Sequence, residues 1–138
     1  QEEAERLPDE PFPVALDWFN GRRYPNTDDA QKSAIVGLSL GMDAPYLYRS
    51  LVFGAVCGLY RLIEGFEKQQ INIEKIIAVG GISKKSPYVM QMLSDLSNRE
   101  ICILDSDQTC AQGAAMYAAV AAGIYDNLET AAGHMAAK

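Results

Sequence analysis

In the run "AVGGISKKSPYVMQML", residues 78–93, an apolar stretch ends on two successive glycines, Gly80 and Gly81, and an amphipathic stretch begins at Pro87. Glycine has no Cβ, so its backbone reaches positive φ freely and lets a flat ring or a phosphate come close to the main chain. A helix N-terminus beyond such a turn offers unpaired N–H groups and a dipole that favours anions. Lys84 and Lys85 add positive charge at the same mouth. These residue types suit nucleotide binding. A tight strand-to-helix turn with two solvated lysines accounts for the same residues, and spacing alone does not separate the two. The run is neither a GxxxxGK(S/T) loop nor a GxGxxG loop.

Two further stretches carry candidate chemistry. In "DSDQTCAQGAAMYAAVAAG", residues 105–123, three polar residues lead into a helix of mostly small side chains. A helix, a sheet or an adenine ring could lie against such a main chain, close helix packing being the commoner use. Asp105 and Asp107 form a carboxylate pair, but Ser106 separates them and helix N-capping accounts for at least one. In "ALDWFNGRRYP", Trp18 and Phe19 precede Arg22 and Arg23. Such a cluster binds an anion, packs on a partner domain or, more often, anchors its own loop.

Other chemistries find few residues. Cys57, Cys102 and Cys110 form no CxxC pair and fit structural thiols of a reducing compartment. His134 is the single histidine, too little for a metal centre or a His-activated nucleophile. The net charge of −6 argues against a nucleic-acid surface. No apolar run approaches the roughly 18 residues that a membrane span requires. The acidic start "QEEAERLPDEPFP" is unlike a secretory signal and lacks an initiating Met, so the chain is read as part of a longer cytoplasmic protein.

The elements that must hold these residues follow from periodicity. With 49% hydrophobic and 22% charged residues, the 138-residue chain has the composition of an ordinary globular domain. Residues 1–33 read as an irregular lead-in with a short element near "VALDWF". Residues 34–125 form the main α/β domain, and 126–138 a helical tail. "SAIVGLSL" predicts a strand ending at Gly41. A long, largely buried helix follows, with Asp43 as N-cap, Pro45 in its first turn and Leu47, Leu51, Ala55, Leu59 and Ile63 on one stripe. Gly54 and Gly58 would let a second helix approach. "IEKIIAVGG" predicts a strand, "SPYVMQMLSDLSN" a helix capped by Ser86, and "EICILD" a strand parallel to the first. A last helix ends at Gly123. This order predicts a three-layer α/β fold, whose ligands bind beyond the carboxyl ends of the strands.

Taken together, "GLSLGMDAPYLYRSLVFGAVCG", "AVGGISKKSPYVMQMLSDLSNREI" and "SDQTCAQGAAMYAAVAAG" resemble the C-terminal domain of the FGGY carbohydrate kinases. The resemblance runs from about Ala15 to Gly123. "ALDWFNG", "GGISKKSP" and "SDQTCAQGAA" are most similar to members that phosphorylate L-ribulose, with xylulose, gluconate and glycerol kinases as alternatives and a non-catalytic actin-like interaction module as another class. The resemblance implies an actin-like ATPase (ribonuclease H-like) fold, here the partial C-terminal domain of a two-domain sugar kinase. It implies ATP and Mg²⁺ as cofactors of the whole enzyme and a ketopentose substrate bound mainly by an N-terminal domain. It places adenosine against Gly80, Gly81 and Ile82, with Lys85 near the adenine and Ala111 and Gly113 close to the same pocket. It puts the catalytic base in the N-terminal domain and no catalytic residue in this chain. The number of copies stays open, a homo-oligomer included. Where relatives read Ala-Leu-Gly-Ala-Ala, this chain has Ala111-Gln112-Gly113-Ala114-Ala115, so the family's packing of that helical face does not carry over by resemblance, though the fold does.

Overall fold

A computed structural model describes residues 1–8, 11–104 and 108–136. In chain order its elements are α1 (Glu2–Glu5), β1 (Val14–Ala15), β2 (Ile35–Val36), α2 (Ala44–Lys68), β3 (Ile76–Ala78), α3 (Gly81–Lys85), α4 (Pro87–Ser97), β4 (Ile101–Ile103), α5 (Thr109–Ala121) and α6 (Leu128–Met135). Strands β1 and β2 pair antiparallel, Val14 opposite Val36 and Ala15 opposite Ile35. Strands β3 and β4 pair parallel, with Ile76, Ile77 and Ala78 opposite Ile101, Cys102 and Ile103. The predicted strand–helix–strand crossover is therefore present, and the α/β class stands.

The single sheet expected from the element order is instead divided into these two pairs. Strand character in "SAIVGLSL" is confined to Ile35–Val36. Its partner β1 follows Pro13, which has no N–H to extend the ladder. On the other side Gly37 turns the chain at φ +89°. Beyond it Leu38 and Leu40 stand out in solvent, 57% and 105% exposed.

Helix α2 is 25 residues long, about 37 Å at 1.5 Å per residue. It packs on β1, α1 and α4, which cover one side of it. It is consequently half-buried rather than largely buried, and its most enclosed residues are Ser50, Gly54, Val56 and Gly65. Of the predicted stripe, Leu59 is 48% exposed. A strand takes the place of the expected second helix: a Cβ on Gly54 would collide with the Ala15 carbonyl of β1, whereas a Cβ on Gly58 would meet nothing. Gly65 makes room in the same way for the Tyr24 hydroxyl.

Around this contact the core is small, built from Ala4, Ala15, Val56 and Leu93. Phe12 meets Phe53 edge-on at 5.4 Å, and Tyr48 stacks on Tyr88 at 6.2 Å, which joins α2 to the segment before β1 and to α4. Arg99 fastens the far end. Its guanidinium donates to the Ile73 carbonyl at 3.2 Å, to the Ser97 carbonyl at 2.9 Å and to the Glu67 carboxylate. It thereby ties the loop before β3 to the ends of α2 and α4.

Neither predicted cap makes its expected bond. The Asp43 side chain makes no capping hydrogen bond. The Ser86 hydroxyl donates to Gln1 Oε1 at 3.0 Å instead of capping α4. Asn127 does cap α6, accepting from the Thr130 N–H at 2.9 Å.

Candidate functional site

Strand β3 runs out into Gly80, whose φ of +92° and ψ of 179° lie where essentially only glycine is stable. Ser83, 3% exposed, turns its hydroxyl back to the Gly80 carbonyl at 2.7 Å and holds that peptide in place. Residues 81–85, read from sequence as a polar turn, are one short helix, α3. Its inner side carries Ser83, and Ser86 is buried just beyond its end. Its outer side carries Gly81, Ile82 and Lys85. Gly81 and Lys85, four apart, share a face, and Ile82 is 67% exposed beside them.

This face is open. Among the described residues, apart from the adjoining backbone, no atom lies within 4 Å of where a Cβ on Gly80 or Gly81 would stand. The shelf is bare backbone edged by an isoleucine and a lysine, and no described side chain fills it. Five residues make a slight dipole, so the anion-binding part of the expectation weakens and the flat-ring part remains. The two glycines have different reasons. Gly80 is required by its backbone angles, whereas nothing among the described residues requires Gly81.

The carboxyl end of β4 lies beside that of β3, since the Leu104 N–H donates to the Ala78 carbonyl at 3.1 Å. Helix α5 follows β4 in the chain, beginning at Thr109. Asp105 and Asp107, the candidate carboxylate pair, lie outside the described residues. Cys110 and Ala111 in the first turn of α5 are exposed, and Gly113 has open space where a Cβ would be. The structure thus gathers Gly80, Gly81, Ile82 and Lys85 on one short helix. Ala111 and Gly113 are on a separate helix, α5, which follows β4 in the chain, while α3 stands at the carboxyl end of a parallel strand, where such sheets bind ligands. Ser83 was missed in sequence. Its signal was a serine three residues after a turn glycine, a spacing that lets a hydroxyl reach back to a carbonyl.

The Trp18 cluster lines a different cavity, about 540 Å³ between β1, its following loop and α2. Its arginines are engaged within the chain. Arg22 lies 5.7 Å from the Trp18 ring and donates to the Asn26 carbonyl. Arg23 pairs with Asp29 at 3.0 Å, and Arg61 with Glu64 at 2.6 Å. Asp28 pairs through its backbone with Arg22. Its carboxyl is held below the usual range by hydrogen bonds from the Gln31 side chain and the Ala30 N–H, with the Arg22 charge a smaller contribution. The loop anchors itself. In this cavity wall Cys57 is half-buried, and burial pushes its thiol above the usual range. Among the described residues no three His, Cys, Asp or Glu side chains converge, and no helix is long and apolar enough to cross a membrane.

Comparison with known proteins bears on the family and the fold. Residues 1–122 match the C-terminal domain of the FGGY family of carbohydrate kinases. A protein of Vibrio parahaemolyticus named ribulokinase is 45% identical over 128 residues, covering 93% of this chain and 23% of its own length. The ligand-bound xylulose kinase of Lactobacillus acidophilus superposes with a TM-score of 0.75 at 25% identity, over 91% of this chain and 26% of its own. The Plasmodium falciparum glycerol kinase with ADP superposes at 0.71 and 21% identity, over 91% of this chain and 25% of its own. The chain spans about a quarter of the length of these relatives. It belongs to the FGGY family of carbohydrate kinases, within which it corresponds to the C-terminal domain.

Proposed function

We propose that this chain is the adenosine-binding part of an ATP-dependent, cytoplasmic L-ribulose kinase, with the adenosine lying against Gly80, Gly81 and Ile82. The observation that carries the reading is the unfilled shelf at the carboxyl edge of the parallel pair. Lys85, on the same face, borders the adenine, and Ala111 and Gly113 of α5 complete the adenosine's surroundings. The ADP of the P. falciparum glycerol kinase and the name of the V. parahaemolyticus relative support nucleotide and substrate respectively. The full protein would transfer the γ-phosphoryl group of ATP to the terminal hydroxyl of L-ribulose. Such transfer rests on positioning and charge neutralisation. Mg²⁺ would supply part of that charge when bound, and no described residue here is assigned to it. The residues of this chain hold the base and ribose and exclude water from one side.

Two results test the reading. ADP slows alkylation of the exposed Cys110 in this chain by about threefold or more at saturation, leaves Cys57 at its own slow rate, and is not turned over. In a sugar panel the full-length protein prefers L-ribulose to xylulose, gluconate and glycerol. Turnover of ATP at enzyme-like rates by the 138 residues alone would contradict the assignment of catalysis to another part of the protein. Preference for another polyol would overturn the substrate and keep the family.

A further inference from the structure

Helices α5 and α6 pack against each other as a hairpin turned at Gly123, which has φ +72°. Ala119 and Ala131 are buried between them, and Tyr125 stacks on His134 at 5.5 Å and 11°. At the open end of the hairpin the Gln112 side-chain amide donates to the Met135 carbonyl. Met135 is the last residue of α6, and the last four carbonyls of a helix have no donor within it. Gln112 therefore supplies from a neighbouring helix the partner that α6 lacks. It is half-buried and stands between Ala111 and Gly113 in the first turns of α5.

We propose that α6 is a strut behind the nucleotide-facing end of α5, and that Gln112 is the positioning residue through which the C-terminal segment sets nucleotide affinity. The inference rests on the reading of Ala111 and Gly113 as nucleotide neighbours. Gln112 touches no nucleotide itself. Its amide fixes the rotation of the turn on which those two residues sit, because its other end is held by the terminus of α6. Without that link, the start of α5 loses a tie to α6, and the packing of Ala119 and Ala131 nearer the hairpin turn remains. Ordering it then falls to the nucleotide, which weakens binding.

The test compares the full chain with Gln112→Met and Gln112→Lys by ADP titration and amide hydrogen exchange. Methionine keeps the length and flexibility of the side chain but has no donor. It raises exchange at the end of α6 and weakens ADP binding, each by about three- to tenfold, the range expected for one hydrogen bond. Lysine restores both, since its ammonium donates to the same carbonyl and suits the negative end of the helix dipole. Faster exchange with unchanged ADP affinity overturns the strut. So does unchanged exchange, because the bond would then not hold α6. Weakened ADP binding that lysine fails to rescue overturns the role of the donor. If the unsubstituted chain binds no ADP, the nucleotide reading fails and this inference fails with it. Unchanged affinity in Gln112→Met refutes the inference alone.

Discussion

Replacing Gly54 by alanine destabilises the chain by about 2–3 kcal/mol, the range for forcing an extra methyl into a packed contact. The new Cβ overlaps the Ala15 carbonyl oxygen and stands 3.1 Å from its carbonyl carbon. Both atoms are backbone, and that strand is fixed by its pairing with β2. Either β1 lifts off α2 or the helix bends, and either movement opens the core around Val56. Thermal unfolding reads this as a fall in Tm of about 6–15 °C for a chain of this size. Gly58→Ala, one turn along the same helix, is the control. Among the described residues, apart from its own helix backbone, nothing lies within 4 Å of its Cβ, so it stabilises by up to about 1 kcal/mol through helix propensity. Equal effects at the two positions would mean that β1 does not rest on Gly54.

The second large effect falls on binding. Gly81→Val leaves stability nearly unchanged because the position is helical, exposed and open. The valine side chain nevertheless occupies the shelf, and ADP affinity falls about 10–100-fold, as overpacking a close contact costs about 1–3 kcal/mol. Gly80→Ala shows the converse origin of a defect. No neighbour obstructs its methyl, but the angles at Gly80 cost a non-glycine residue about 1–3 kcal/mol, so Tm falls and affinity follows from lost local order. A Gly81→Val protein that binds ADP as the parent does would remove the reason for the second glycine.

Much of this was legible in sequence because it depends on short-range rules. The helical stripe from Leu47 to Ile63, the proline starts at Pro45 and Pro87, the glycine stop at Gly123 and the parallel "IIA"/"ICI" strands all follow from local patterning. The diglycine turn could be located but not interpreted, since a turn and a ligand shelf ask for the same residue. Only coordinates separate Gly80, constrained by its own φ, from Gly81, constrained by nothing among the described residues. Long-range partners were the main blind spot. Sequence could not show that Gly54 faces a strand, that Ser86 reaches Gln1, or that Gln112 is held by the Met135 carbonyl. The division of the expected sheet has a similar cause: Ile35 and Val36 have strand character, yet a strand exists only as far as a neighbour pairs with it.

The most direct test of the shelf is an amide chemical-shift titration of the chain with ADP. The account predicts the largest shifts at Gly80, Gly81 and Ile82 and in the first turn of α5 at Cys110 and Ala111, with Trp18 and Arg22 unmoved. Shifts centred on the cavity between β1 and α2, with Gly81 silent, would contradict it.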